Sequence, residues 1–125
     1  MTVFIVNDSG HDFSGAEEFG ELVYMTTGLV DKYHVTKMKR LFDRHIQASH
    51  PRDFILHTGP GVMSAIACSM FAARHGRLNL LLWRAESNGT DRYIYRKLVF
   101  SQREEKDAKQ VEENYQEKEE EVSED

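Results

Sequence analysis

The segment from residue 53 to residue 83 constrains the fold most, because it predicts a complete βαβ unit. An apolar strand at Phe54-Ile-Leu56 is followed by a glycine loop, an apolar helical run from Met63 to His75 and a second apolar strand, Leu78 to Trp83. Strands joined through a helix in this way lie parallel in one sheet. The unit therefore predicts an α/β protein whose glycine loop lies at the carboxyl edge of the sheet, where anions and small ligands usually bind.

The rest of the first hundred residues completes the expected sheet. A strand is expected at 2–6, a short helix opened by the capping-box pattern of Ser14 and Glu17, and a strand at 21–26. Thr36 is expected to cap a helix that runs to about Ala48, and residues 92–100 to form an antiparallel edge strand. Together they predict a small three-layer α/β sandwich with a mostly parallel sheet and an antiparallel C-terminal edge strand. The general pattern resembles Rossmann-like domains, which serve many functions.

Charge divides the chain into two parts. The net charge is −5 over 125 residues, with +2 in residues 1–100 and −7 in residues 101–125. We therefore expect a single α/β domain at 1–100 and an acidic tail at 101–125, with a short helix possible first and disorder from Glu117. The near-neutral domain argues against nucleic-acid binding, which requires clustered basic residues. The acidic tail is suited to a basic partner.

Hydropathy and cysteine content bound the environment of the chain. No run approaches the roughly 18 apolar residues of a membrane span, so no membrane association is expected. The single cysteine, Cys68, lies in the apolar helical run and cannot form an intrachain disulfide. A cytoplasmic location follows as the expectation.

The first candidate ligand segment is the glycine loop and the helix start that follows it. The free amides around Gly61, Val62 and Met63 are suited to a phosphate or carboxylate. Hydroxyl groups of Thr58 and Ser64 would add donors. The predicted ligand-binding residues of this segment are His57, Thr58, Gly59, Gly61, Val62 and Ser64. A tight strand-to-helix turn that needs glycine only to fit is the alternative interpretation.

The second candidate segment follows the first strand. If the strands at 2–6 and 54–56 are neighbours, this segment lies beside the glycine loop, at a point where the strand order reverses. Its polar side chains could recognise a ribose or position a water molecule. The predicted ligand-binding residues here are Asn7, Asp8, Gly10, His11, Asp12 and Ser14. A hydrogen-bonded turn is the alternative, since Asn, Asp, Ser and Gly all favour turns.

Two histidines are the candidates for catalysis. His57 ends its strand directly before the glycine loop, and His11 lies in the second candidate segment. Either could act as a proton carrier near neutral pH. A metal site made from His11, Asp12 and His57 lacks a compact ligand motif, so no metal is predicted, and the sequence does not identify a cofactor.

Three functional hypotheses follow. The first is a small ligand-binding protein that holds a nucleotide or other phosphorylated small molecule at the 7–14 and 57–64 loops. The second is a small hydrolase or transferase that acts on such a ligand, with His57 or His11 as proton carrier. The third is a homo-oligomeric interaction or adaptor protein that uses its edge strand and acidic tail, with a homodimer as the expected assembly. Its partner surface would be formed by Trp83, Tyr93 and Tyr95.

Overall fold

A five-stranded sheet runs through the part of the chain that the computed structural model describes, residues 1–100. The predicted acidic tail at 101–125 lies outside the described residues. The strands are β1 (Thr2–Ile5), β2 (Glu21–Tyr24), β3 (Phe54–Leu56), β4 (Arg77–Arg84) and β5 (Arg92–Val99). The helices are α1 (Val35–Gln47), α2 (Gly61–His75) and a 3₁₀ helix at Ser14–Phe19.

The strand order is β2-β1-β3-β4-β5. The first four strands in this order pair in parallel, and β5 pairs antiparallel with β4. This confirms the mixed α/β class and the mostly parallel sheet with an antiparallel last strand. Because the chain runs from β1 outward to β2 and then crosses back to β3, the strand order reverses between β1 and β3.

Both α-helices pack on one face of the sheet. The apolar stripe predicted for α1 is buried at Met38, Phe42 and Ile46, while Leu41 is exposed and His45 is half-buried. These side chains join a core with α2 and with the facing side of the sheet, through Met63, Ala67, Phe71, Phe4, Val6 and Ile55. The two helices therefore bury apolar side chains in one core that they share with this face of the sheet.

The opposite face of the sheet has a smaller core. Within residues 1–100 this face is covered by the 3₁₀ helix. A three-layer sandwich would have a full layer of helices on this face. Phe13 and Ala16 are buried there against Val3, Ile5 and Leu56. The short covering element leaves room at one end of this face, next to β4 and β5.

The helix starts differ from the predictions. Ser14 does not form a capping box: the 3₁₀ helix has Phe13 at its N-cap, and the Asp12 carboxylate accepts a hydrogen bond of 2.9 Å from the Ser14 N–H. Thr36 is not an N-cap either, because α1 begins at Val35. Both errors lie within the one or two residues by which helix ends are hard to place. The predicted cap at Gly76 is confirmed, with a left-handed φ of 69°.

A hydrogen-bonded network closes the amino edge of the sheet. Asp53 is buried, and its two carboxylate oxygens accept hydrogen bonds from the N–H groups of Thr2 and His50, at 2.9 and 2.8 Å. Asn79 is also buried, and its amide nitrogen donates to the carbonyls of Pro51 and Asp53, both at 2.8 Å. We call Asp53 and Asn79 with these partners the amino-edge network. It fixes the turn between α1 and β3.

Two further findings concern the helices of residues 1–100 and the cysteine that one of them contains. None of the helices in residues 1–100 is long and apolar enough to span a membrane. Cys68 is half-buried in α2, and burial raises the pKa of its thiol to about 11. The thiol is therefore protonated near neutral pH, as in a small apolar residue of a helix rather than in a nucleophile.

Candidate functional site

The two candidate segments lie side by side at the carboxyl edge of the sheet. β1 and β3 are hydrogen-bonded neighbours, so the loops that leave them start next to each other. Gly59 approaches Asn7 so closely that a Cβ on Gly59 would lie 3.1 Å from the Asn7 Cβ. Asn7 is itself buried, and its side-chain oxygen accepts a hydrogen bond of 2.9 Å from the Thr26 hydroxyl. The loops meet where the strand order reverses, the usual place for a ligand crevice in an open α/β sheet.

A cavity of about 390 Å³ opens between these loops and the ends of β4 and β5. We call it the main cleft because both predicted segments line it; a cavity of equal volume lies beside Thr26, Val30 and Met38. It brings together four of the predicted residues, His11, Asp12, His57 and Thr58. The rest of its lining comes from Phe13, Leu56, Trp83 and Tyr93. The main cleft therefore combines two imidazoles, a carboxylate and a hydroxyl with an aromatic wall.

Asp12 supplies a negative charge to the main cleft. Its carboxyl group is exposed, and hydrogen bonds from the backbone and the side chain of Ser14 lower its pKa. The pKa of the Tyr93 phenol is raised, first by burial and then by the charge of Asp12. Asp12 and Tyr93 both line the main cleft, where the carboxylate is a hydrogen-bond acceptor.

The aromatic wall was not predicted as part of the site. Trp83 and Tyr93 pack with their ring centroids 4.9 Å apart and their planes at 64°. The sequence indicated these residues only as a partner surface. The missing information was the register of β4 with β5, which places Trp83 opposite Tyr93 and brings both to the carboxyl edge.

A second cavity of about 330 Å³, the side cavity, lies on the other side of the glycine loop. Asn7 and Gly59 reach it from the two predicted segments. Its other lining residues are Ser9, Gly28, Leu29, Val30 and Pro60. Leu29 and Val30 belong to the loop after β2, for which the sequence made no functional prediction.

The remaining predicted residues line neither cavity. The backbone of Asp8 forms an isolated bridge with Thr27, beyond the end of β2, and its carboxylate accepts a hydrogen bond of 3.1 Å from the Gly10 N–H. These contacts are those of the turn interpretation. Ser14 is exposed at the start of the 3₁₀ helix.

The start of α2 also differs from the expected anion seat. Its N-cap is Pro60, and the Met63 amide is not free, because it donates to the Pro60 carbonyl at 3.0 Å. The Ser64 hydroxyl is directed to the Thr58 carbonyl at 3.3 Å. Gly61 is exposed and Val62 is half-buried against the core, and neither residue lines the main cleft or the side cavity.

The titratable residues of the main cleft do not form a metal centre in the described part of the chain. Within residues 1–100, no group of three or more His, Cys, Asp or Glu side chains has an arrangement that could hold a metal ion. His11, Asp12 and His57 share the cleft without converging on one point. Imidazole and carboxylate groups of this kind can form hydrogen bonds and exchange protons.

Comparison with protein families adds an independent finding. The family model described as phage Pam3 gp32-like protein matches residues 1–98. The chain belongs to the phage Pam3 gp32-like family. The match covers the sheet from β1 almost to the end of β5, and it includes every residue of the main cleft and the side cavity. No curated protein matches the chain. The name of the Pam3 gp32-like family states no ligand or reaction, so function has to be argued from the geometry.

Proposed function

We propose that this member of the Pam3 gp32-like family is a Rossmann-like protein that binds a nucleotide or another phosphorylated small molecule at the carboxyl edge of its sheet. The observation that supports this most is the main cleft, which lies where the strand order reverses. Its volume falls in the lower part of the range of small-molecule sites, about 300–1,000 Å³.

Charge assigns the two ends of the ligand. The ionised Asp12 would repel a phosphate, so the sugar or base lies beside it and donates N–H or O–H groups to its carboxylate. The phosphate lies at the other end, near His57 and Thr58, which line the cleft, and near the backbone of Gly59, which follows them in the chain. Imidazole, hydroxyl and amide groups there can donate hydrogen bonds. The start of α2 adds the positive end of its dipole on that side.

Calorimetry with nucleoside monophosphates and sugar phosphates tests this proposal. A Gly61→Asp variant adds a negative charge at the start of α2, where a Cβ meets open space and φ is not positive. We expect it to bind nucleotides at least about tenfold more weakly, because the added charge repels the phosphate. Gly61→Ala is the matched control and should bind like the wild type. Absence of binding across a broad panel of both ligand classes would contradict the proposal.

A catalytic version of the proposal is supported by the two histidines of the main cleft. His11 and His57 line the same cavity, so either can exchange a proton with a phosphoryl or glycosidic group bound there. In this version, a His57→Ala variant loses product formation while calorimetry still detects the ligand. A wild-type protein that binds nucleotides but releases no product leaves binding alone as the function.

The exposed side of β5 supports an interaction role as a second candidate. β5 is an edge strand, and Leu98 and Phe100 are each about half exposed beside it. A homodimer through this edge would cover these side chains. Light scattering at several concentrations checks it: a dimer mass that Leu98→Glu converts to monomer supports the role, and a monomer at all concentrations rejects it. If deletion of residues 101–125 abolishes the binding of a basic partner, the acidic tail is the segment that binds it.

A cytoplasmic location completes the proposal. The single cysteine, Cys68, supports this location because it is free and half-buried. Proteins of a reducing compartment are rarely stabilised by disulfides. Fractionation of cells that produce the protein checks it. Recovery outside the cytoplasmic fraction would reject it.

A further inference from the structure

The main cleft has one wall that the proposed chemistry does not use. Trp83 lines it with 57% of its surface exposed, although its ring packs on Tyr93. Large aromatic side chains are normally among the more buried residues of a domain. An exposed indole inside a concave site points to a planar group that covers it when the ligand is bound.

The wall is held in place by the second core. Tyr93 packs against the core cluster on the 3₁₀-helix side of the sheet, and Gly15 lies so close that a Cβ there would be 3.6 Å from the tyrosine ring. Trp83 is fixed from the backbone side by its pairing with Tyr93 in the β4–β5 ladder. When a ligand ring stacks on this wall, the side chains of the wall lose little conformational freedom, because they are already ordered.

Asp12 lines the same cleft as Trp83 and Tyr93 and restricts the planar group further. Its carboxylate accepts hydrogen bonds, and the hydrogen bonds from Ser14 lower its pKa, so that it is ionised near neutral pH. A planar group that lies on the wall therefore has its edge within reach of an acceptor. Nucleobases with amino or imino N–H groups have both a stacking face and donors on the edge.

We propose that the indole of Trp83, supported by Tyr93 at an angle of 64°, is the stacking wall for a nucleobase whose N–H edge is read by Asp12. This inference rests on the proposed function and makes it narrower. The ligand is a base-containing nucleotide rather than a sugar phosphate, and the base supplies a large share of the affinity. Phe13 closes the cleft behind His11, with the two ring centroids 6.2 Å apart.

Trp83 itself provides the readout, because it is the single tryptophan of the chain. The wild-type protein is titrated with GMP, AMP, UMP and ribose 5-phosphate, with tryptophan emission and calorimetry followed in parallel. We expect all three nucleotides to change the emission on binding, the purine nucleotides most strongly, and ribose 5-phosphate to leave it unchanged. Trp83→Leu should weaken GMP binding at least about tenfold, as removal of a stacking aromatic does elsewhere. Trp83→Phe should restore most of it.

Controls separate stacking from folding. Tyr33→Leu removes an aromatic ring that is 79% exposed and lies outside the main cleft, and it should leave GMP binding unchanged. Far-ultraviolet circular dichroism of Trp83→Leu and Trp83→Phe checks that both variants fold.

The outcomes distinguish this inference from the proposed function. If no nucleotide and no sugar phosphate binds the wild type, the proposed function falls and the stacking wall falls with it. If ribose 5-phosphate binds as tightly as GMP, or if Trp83→Leu binds GMP like the wild type, the stacking wall is wrong while the ligand site stands.

Discussion

The two edges of the sheet use polar residues in opposite ways. At the amino edge, the side chains of Asp53 and Asn79 are buried and hydrogen-bonded to the backbone. At the carboxyl edge, His11, Asp12 and His57 are exposed around an open cleft. Buried polar groups must be satisfied within the fold, whereas exposed ones at a concave site are available to a ligand. The comparison separates residues that maintain the structure from residues that can act on another molecule.

The amino edge also has a cavity, and its composition makes it a useful contrast. It measures about 270 Å³ and is lined by Met1, Arg52, Phe54, Arg77 and Tyr95. Its arginines could attract an anion, but the Arg77 guanidinium donates to the Asn79 side-chain oxygen at 2.9 and 3.1 Å. That arginine thus extends the amino-edge network. A phosphorylated ligand that preferred this cavity would reverse the assignment of roles to the two edges.

The largest expected effect is at the amino edge. Asn79→Leu removes both side-chain hydrogen bonds to the backbone and leaves the carbonyls of Pro51 and Asp53 with one partner fewer in a buried place. We expect the free energy of unfolding to fall by about 3 kcal/mol, measured by urea denaturation. Nucleotide affinity of the folded variant should stay within about twofold of the wild type. A loss of stability below about 0.5 kcal/mol would mean that the network does not hold this edge.

The second effect tests the contact between the two loops. Gly59 has a φ of 79°, and a Cβ would come within 3.1 Å of the Asn7 Cβ. Gly59→Ala should therefore cost about 2 kcal/mol of stability, since strained backbone and close approach act together. Gly89→Ala is the matched control, because Gly89 has a similar φ of 82° with open space around it. Equal losses in thermal denaturation for the two variants would contradict a tight contact at Asn7.

The third effect is on affinity at the carboxyl edge. Asp12→Asn keeps an oxygen that can accept the hydrogen bond from the Ser14 N–H and removes the charge. We expect stability to change by less than about 0.5 kcal/mol and GMP affinity to fall about tenfold, measured by calorimetry. Unchanged or stronger GMP binding would exclude Asp12 as the residue that reads the edge of the base.

The smallest effect concerns the helical layer between the two edges. His45 is half-buried, and within residues 1–100 its Nε2 atom is buried without a hydrogen-bond partner. Burial first, and then the charge of Arg44, lower its pKa below the ordinary 6.5. The imidazole of the unfolded chain therefore takes up a proton more readily than that of the folded chain. The stability that depends on a neutral His45 is fully present above pH 6.5 and is lost as pH falls through the folded pKa.

His45→Leu should remove this pH dependence and the unpaired atom. We expect a gain of about 1 kcal/mol at pH 7 and a shallower decline below pH 6.5, measured by urea denaturation across pH 5–8. The pKa of His75 is lowered in the same direction, mainly by burial, so a smaller decline should remain. An unchanged slope in the variant would show that His45 does not titrate as described.

Much of the fold could be predicted from the sequence because its strands are short apolar runs with a clear place in the chain. Phe54-Ile-Leu56 is fully buried between two parallel neighbours, which is why it reads as an uninterrupted apolar segment. The element after Asp12 was harder to predict. Its first turn is fixed by the Asp12 side chain rather than by Ser14, and it forms a 3₁₀ helix. A capping box and a turn fixed by an aspartate side chain both begin with the same turn-forming residue types, so the sequence alone does not distinguish them.

The candidate site divides along a similar line. His11, Asp12, His57 and Thr58 could be predicted as neighbours because they follow strands that are adjacent in a parallel sheet. Trp83 could not, because its place depends on the β4–β5 register, and the connection of seven residues (85–91) between these strands does not fix that register. The proposed roles of Gly61, Val62 and Ser64 came from the motif alone. The contacts within the turn decide which groups of that motif remain free.

The most direct test of the account is a map of backbone amide chemical shifts of the ¹⁵N-labelled protein during titration with GMP. The account predicts that the largest changes fall at residues 7–13, 57–59, 83 and 93, around the main cleft. Residues near Arg52, Arg77 and Tyr95 should change little. Changes concentrated at that basic cavity of the amino edge, or no change at saturating GMP, would contradict the central claim that the carboxyl edge is the ligand site.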